Sequence, residues 1–217
     1  MISVVLPVLD GAEHLTQALE SAPPAGADEV VVVDGGSSDD SRKIAAGFDF
    51  VRLLEQRGPE LSDAYNEGIA AARGDRLGFL GHDDIYEPGA LSALAEELGD
   101  AAAAFGRLRY ELLGERPPPG FRAELLGEPR DAFGLEAMLA SRTTVDRVGS
   151  FRYQTAHDVD WLARLRETGL PIVRIPTLVA SKRIRAESTG YRDTAREPEQ
   201  LVRILRDSIA RRRGETA

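Results

Sequence analysis

Short apolar runs alternate along the first hundred residues with segments whose apolar positions recur at helical spacing. Residues 2–9 are apolar and largely β-branched, interrupted by Pro7 and stopped by Asp10-Gly11, which predicts a buried first strand. Leu15, Ala18 and Leu19 then share one helical face, in a helix expected to end before Pro23-Pro24. Residues 29–33 predict a second strand, closed by Asp34-Gly35-Gly36-Ser37-Ser38-Asp39-Asp40. Ser38 or Asp39 is placed to cap a helix over 40–46. A third strand at 50–54, a helix at 61–73 and a fourth strand at 77–80 follow. That fourth strand stops abruptly at His82, Asp83 and Asp84, ahead of a helix opened by Pro88. Apolar strands without polar alternation, separated by helices, imply an α/β fold whose parallel sheet is covered on both faces.

The second half is less regular. Residues 101–110 predict a strand, and 114–130, rich in proline, glycine and charge, a long loop that is either a substrate lid or a passive insertion. A strand at 138–141 precedes a short helix opened by Thr143 or Thr144 and ended at Gly149. The next helix, beginning near Ala156, has Trp161, Leu162 and Leu165 on its apolar face and Gly169 at its end. Asp158 and Asp160 lie in its first turn, where the helix dipole favours negative charge without any further role. Late strands are expected at 171–175 and 178–184. A last helix over 198–213 aligns Leu201, Ile204, Leu205 and Ile209, with six arginines between 196 and 213. It packs on the domain through that face, or lies against anionic lipid as a peripheral membrane contact.

Composition narrows the classes. The 217 residues, 42% hydrophobic and 29% charged, are enough for one globular domain or two small lobes sharing a core. With 36 acidic against 27 basic residues the formal charge is −9, which argues against a chain-wide nucleic-acid surface. The absence of cysteine excludes disulfides, thiolate metal sites and cysteine nucleophiles. No basic leader is visible, and no apolar run reaches the roughly 20 residues of a membrane span, so a soluble cytoplasmic protein is the default expectation.

The candidate chemistry sits at strand ends. Asp10, Asp34 and the Asp83-Asp84 pair all close predicted parallel strands, at the edge where such sheets bind ligands. Adjacent carboxylates there are costly to bury bare, and they suit a hard divalent cation carrying a nucleotide phosphate. Neither a Gly-x-Gly-x-x-Gly fingerprint nor a Gly-x-x-x-x-Gly-Lys loop is present, which removes the main support for dinucleotide oxidoreductases and P-loop NTPases.

The ordered series of segments resembles the GT-A glycosyltransferases of family 2. It comprises Ile2-Ser3-Val4-Val5-Leu6-Pro7-Val8, Val33-Asp34-Gly35-Gly36-Ser37, Leu61-Ser62-Asp63-Ala64-Tyr65-Asn66-Glu67-Gly68, Gly81-His82-Asp83-Asp84, residues 142–151 and Ala156-His157-Asp158-Val159-Asp160-Trp161. The resemblance covers most of positions 2–188 and implies one GT-A domain over 1–217. Residues 1–100 would form the nucleotide-sugar half, 101–190 the acceptor and catalytic half, and 195–217 a C-terminal helix. It implies inverting transfer of a sugar from a nucleoside-diphosphate sugar, a UDP-sugar, to a hydroxyl of a glycan or lipid-linked acceptor.

By the same resemblance, Pro7, Leu9, Asp34, Asp63, His82, Asp83 and Arg185 bind the donor, with Ser188 in the same closing loop as Arg185. The Asp-x-Asp element falls on Gly81-His82-Asp83, which leaves Asp83 as the main ligand of Mg²⁺ or Mn²⁺ and Asp84 as its helper. Asp158 takes the place of the catalytic base, preceded by His157 where the family has glutamate. Acceptor recognition is expected within 106–157. Two rivals remain. A sugar-1-phosphate nucleotidyltransferase lacks its glycine-rich lysine loop here. A non-catalytic GT-A relative that binds a nucleotide-sugar or a partner is the alternative.

Overall fold

The computed structural model describes residues 1–154, 156–186 and 197–213. Four parallel strands, β1 (Ile2–Val8), β2 (Glu29–Asp34), β3 (Val51–Glu55) and β4 (Arg76–Phe79), form one half of the sheet in the order β3-β2-β1-β4. β1 and β2 are buried on both faces, and their alternate residues feed two separate cores. Val4, Leu6, Val30 and Val32 meet α1 (Ala12–Ala25) and α4 (Ala90–Leu98) on one side. Val5, Val31 and Val33 meet α3 (Leu61–Ala71), α5 (Arg142–Val148) and α6 (His157–Glu167) on the other. The short α2 (Ser41–Ala45) follows β2.

Several expectations need correction. α1 does not stop before Pro23-Pro24 but runs through both. Both prolines face solvent in the last turn, while Ala22 and Ala25 stay buried beside Leu15, Ala18 and Leu19 and hold that turn to the sheet. Gly26, at φ 113°, then closes the helix by donating to the carbonyls of Ala22 and Pro23. Pro88 does not open α4, whose cap is Gly89; a two-strand-residue element, β5 (Ile85–Tyr86), precedes it. The sheet is also mixed rather than wholly parallel. β8 (Met138–Ser141) runs antiparallel to β4 and to β6 (Ala103–Leu112), and the short β7 (Arg130–Asp131) pairs with β6.

The two late strands are one, β9 (Ile172–Ile184), parallel to β6. Phe105 pairs with Arg174 and Arg107 with Leu178, so residues 175–177 bulge opposite Gly106, and Pro176 is absorbed there. Gly106 leaves the room: a Cβ on it would lie 2.7 Å from the Thr177 carbonyl.

The full order is β3-β2-β1-β4-β8-β6-β9-β5, so β5 stands four strand spacings from β4, roughly 19 Å across a flat sheet. Yet the Tyr86 hydroxyl of β5 donates to the Phe79 carbonyl of β4 at 2.8 Å. The sheet therefore curls until its far edge returns to the tip of β4. Residues 80–84 fill that seam. The last helix, α7 (Glu197–Arg213), lies against α6. No described helix is long and apolar enough to cross a membrane.

Candidate active site

The loops leaving β1 and β2 are stitched into one rim. Asp10 N–H donates to the Ser37 hydroxyl at 3.0 Å, and the Asp10 carboxylate accepts from Ser38 N–H at 2.7 Å. Asp39 accepts from Ala12 N–H and from Ser41 N–H, both at 2.9 Å, and so serves the starts of α1 and α2 together. Asp10 adopts φ 48°; the other described non-glycine residue in the left-handed region is Tyr153, at φ 68°. Both border the candidate site, where backbone strain tends to concentrate.

Asp34 is fully buried at the end of β2. Its oxygens accept from Gly36 N–H at 3.2 Å and Ser37 N–H at 3.3 Å, and from Arg42 at 3.2 Å. Pro7 is buried within β1 opposite Val33, and Leu9, just past the strand, is 56% exposed. Asp63 is engaged in a capping box with Glu60 at the start of α3, where its carboxylate accepts from Glu60 N–H at 3.0 Å.

The seam at 81–84 meets the end of β9. Asp84 Oδ1 accepts from Arg183 N–H at 2.8 Å, and the Arg183 guanidinium donates to the Asp83 carbonyl. Arg185 lies 3.1 Å from Asp83 Oδ2 and donates to His82 Nε2 at 2.9 Å, so the imidazole carries its proton on Nδ1. Burial pushes His82 below the usual histidine range, with Asp83 opposing and Arg185 reinforcing the shift. Burial likewise pushes Asp84 up to about 7, against the pull of Lys182. A Cβ on Gly81 would lie 2.7 Å from Asp84 Oδ2 and 3.2 Å from Asp83 Oδ1. These are the oxygens not engaged by Arg183 and Arg185, and glycine at 81 leaves no Cβ to press on them.

Two neighbouring carboxylate oxygens without an arginine partner fit a Mg²⁺-type ion that draws its remaining ligands from phosphate and water. No set of three His, Cys, Asp or Glu groups able to hold a metal occurs among the described residues.

A second group of charges adjoins the seam. Lys182, in β9, contacts Glu136, which sits in a short helical turn before β8. The Lys182 side chain keeps 34% of its surface exposed. Burial works against its charge, yet Glu136, Asp84 and Asp158 together hold it firmly protonated. Burial would raise Glu136 as well, but Lys182 outweighs it and keeps that carboxylate ionised. His157 is buried against Tyr65, with ring centroids 5.1 Å apart, and burial lowers its pKa.

Asp158 stands half-buried at the start of α6, with Oδ1 accepting from Val159 N–H at 2.8 Å. Asp160, which shares its turn, points away into a buried ion pair with Arg164 at 2.8 Å. Trp161 anchors the helix: fully buried, it donates to the Gly149 carbonyl at 2.9 Å and stacks on Phe151 at 5.3 Å. Beside this helix start opens a cleft of about 760 Å³, lined by Glu60, Arg152, Tyr153, Gln154, Gln200 and Arg203 among others.

The structure thus joins His82, Asp83, Asp84 and Arg185 in one contact network and places Lys182 in the field of both Asp84 and Asp158. Asp34 stands on the same sheet edge, two strand spacings or about 10 Å from β4 with β1 between. Ser188 lies outside the described residues. Sequence reasoning missed the Lys182–Glu136 pair, whose members are 46 positions apart with no local pattern to join them. It also missed the part of α7 that lines the cleft.

Residues 3–154 match the family model described as Glycosyl transferase family 2. The chain is 37% identical over 108 residues to a PGL/p-HBAD biosynthesis glycosyltransferase of Mycobacterium bovis, a match covering 46% of this chain and 42% of that protein. It is 35% identical over 107 residues to the succinoglycan biosynthesis protein ExoU of Rhizobium meliloti, covering 45% of this chain and 30% of that protein. Among solved structures, S. aureus TarS (residues 1–349) in complex with UDP-GlcNAc aligns with TM-score 0.72 at 16% identity, over 95% of this chain and 65% of that one. A mycobacterial protein aligns with TM-score 0.68 at 21% identity, over 96% of this chain and 74% of that one. The curated relatives are much longer than their matched parts: the Rickettsia felis glycosyltransferase is matched over 15% of its length.

Proposed function

Because the chain belongs to glycosyltransferase family 2 and has the GT-A fold, we propose that it transfers a sugar, with inversion, from a UDP-sugar to a hydroxyl of a glycan or lipid-linked acceptor. Glycan or polysaccharide synthesis is the setting that ExoU and the mycobacterial relative support. The observation that carries the reading is the contact network of His82, Asp83, Asp84, Arg183 and Arg185, where the tip of β4 meets the end of β9. Inverting transfer needs Asp158 to reach the acceptor oxygen on the side of the sugar opposite that network.

Residues 1–100 take the donor. The nucleoside lies along Pro7, Leu9 and Asp34, with Arg42 swinging away from the Asp34 carboxylate, and Asp63 shapes the neighbouring loop through its cap. The diphosphate faces His82, Asp83 and Arg185, and a guanidinium there stabilises the charge that gathers on the leaving group. Mg²⁺ or Mn²⁺, when bound by Asp83 and Asp84, supplies further stabilisation of that charge.

Residues 101–190 face the acceptor, and the helix within 195–217 borders its cleft. Asp158 removes the proton of the acceptor hydroxyl as that oxygen attacks the anomeric carbon from the side opposite the diphosphate. Lys182, already paired with Glu136, stays protonated and lends a fixed positive charge to this part of the site. No covalent enzyme intermediate is required.

The test is a screen of nucleotide-sugars with candidate acceptors, read by release of nucleoside diphosphate. Release is expected with a UDP-sugar, and Asp158→Asn should cut kcat by roughly 10²–10⁴-fold. The UDP-dependent rise in melting temperature should survive that substitution and grow with Mn²⁺. Full activity in Asp158→Asn would remove the base assignment. A melting temperature indifferent to UDP and GDP, with and without Mn²⁺, would remove the donor site. Glycine at position 81 favours one second reading, a relative that binds the donor without turnover; it predicts the thermal shift with no release of diphosphate from any sugar.

A further inference from the structure

α7 has two unlike faces. Its inner face is tied to the base helix and the segment before it. Ile204 and Ser208 are buried, the Ser208 hydroxyl donates to Glu167, and Arg211 reaches Glu167 at 2.6 Å. Asp207 accepts from the Tyr153 hydroxyl at 2.8 Å. The outer face carries Val202, Leu205 and Ile209, which are 47%, 62% and 49% exposed. Their spacing puts them in one stripe along the helix.

Single exposed apolar side chains are ordinary. Here, of the six large hydrophobic residues exposed among the described residues, three share this one stripe. At 3.6 residues per turn, Arg212 falls on one flank of the stripe, and Arg206 and Arg213 fall on the other, all of them exposed. An apolar strip bordered by arginines on both sides complements a lipid interface whose headgroups are acidic. The chain as a whole carries −9, so an acidic bilayer repels the rest of the surface and selects this helix.

We propose that α7 docks the protein on an anionic membrane surface, with Val202, Leu205 and Ile209 entering the interface and Arg206, Arg212 and Arg213 meeting acidic headgroups. Docked in this way, the helix also sets the height of the neighbouring cleft above the bilayer, because Gln200 and Arg203 line that cleft from α7. The inference stands apart from the transferase reading, since binding is read without nucleotide or acceptor.

Co-sedimentation of the full chain with phosphatidylcholine vesicles, with and without phosphatidylglycerol, tests it. Binding should require phosphatidylglycerol and weaken steeply as salt rises. Arg206→Gln and Arg213→Gln should each weaken it about fivefold. Leu205→Glu with Ile209→Glu should reduce it more than tenfold, at an unchanged melting temperature. Recovery of the protein in the supernatant with anionic vesicles would overturn the proposal, as would equal binding to neutral ones. So would a dimer in sedimentation velocity that the Leu205→Glu, Ile209→Glu protein loses, because the stripe would then belong to a second copy.

Discussion

Asp84 is held where ionisation is least favourable. It is 3% exposed, and burial lifts its pKa to about 7 from the 3.8 of a free side chain. The folded state therefore binds the proton more tightly than the unfolded chain does. Stability from this group is complete below pH 4 and is lost as pH rises through 7. Asp84→Asn keeps an acceptor for Arg183 N–H and removes the buried charge. The variant should be more stable than the parent at pH 8.5, by roughly 2–4 kcal/mol. That advantage should shrink to nothing near pH 4, as read by urea unfolding across the range; a constant difference would overturn the account. The Asp83-Asp84 pair itself was legible in the sequence as two carboxylates ending an apolar run. Their partners were not, because Arg183 and Lys182 arrive from a strand about a hundred positions away.

At the scale of elements, the way α3 and α7 seat decides two outcomes. Gly68 lies where α3 comes nearest the sheet: a Cβ there would press on Val5 and stand 3.2 Å from Val33 Cγ2. Gly68→Ala should destabilise the fold by about 1–3 kcal/mol through overpacking, although alanine favours the helix itself by about 1 kcal/mol; the shift in urea midpoint decides which wins. Glu167 joins α6 to α7 through Ser208 and Arg211, so Glu167→Gln should weaken that junction by about 1–2 kcal/mol. Proteolysis should then cut within 197–213 sooner than in the parent, and an unchanged cleavage rate would place the hold elsewhere. Periodicity located β1, β2, β4 and α6 because each is anchored by its own apolar pattern. It stopped α1 early and split β9, since proline reads locally as a breaker. Exposed Pro23 and Pro24 in a last turn, and a bulge around Pro176 opposite Gly106, are arrangements that only tertiary packing reveals.

Across the whole molecule, the parallel half was readable and the returning half was not. Strand-helix alternation predicts the parallel sheet of β1 to β4 though not its order, whereas β8, β6, β9 and β5 join through pairings distant in sequence. Nothing local in Ile85-Tyr86 announces a strand at the far edge of a curled sheet. The seam that results, with Tyr86 bonded to Phe79 across residues 80–84, has its own consequence for tolerance of length change. One glycine inserted between His82 and Asp83 should leave far-ultraviolet circular dichroism intact while abolishing the UDP and Mn²⁺ thermal shift. The exposed turn at 114–116 should take an added residue readily, like slack in a rope. The span from Leu80 to Asp84 is instead a buckle cut to one size, and a descendant of this chain can change its letters far more readily than its count.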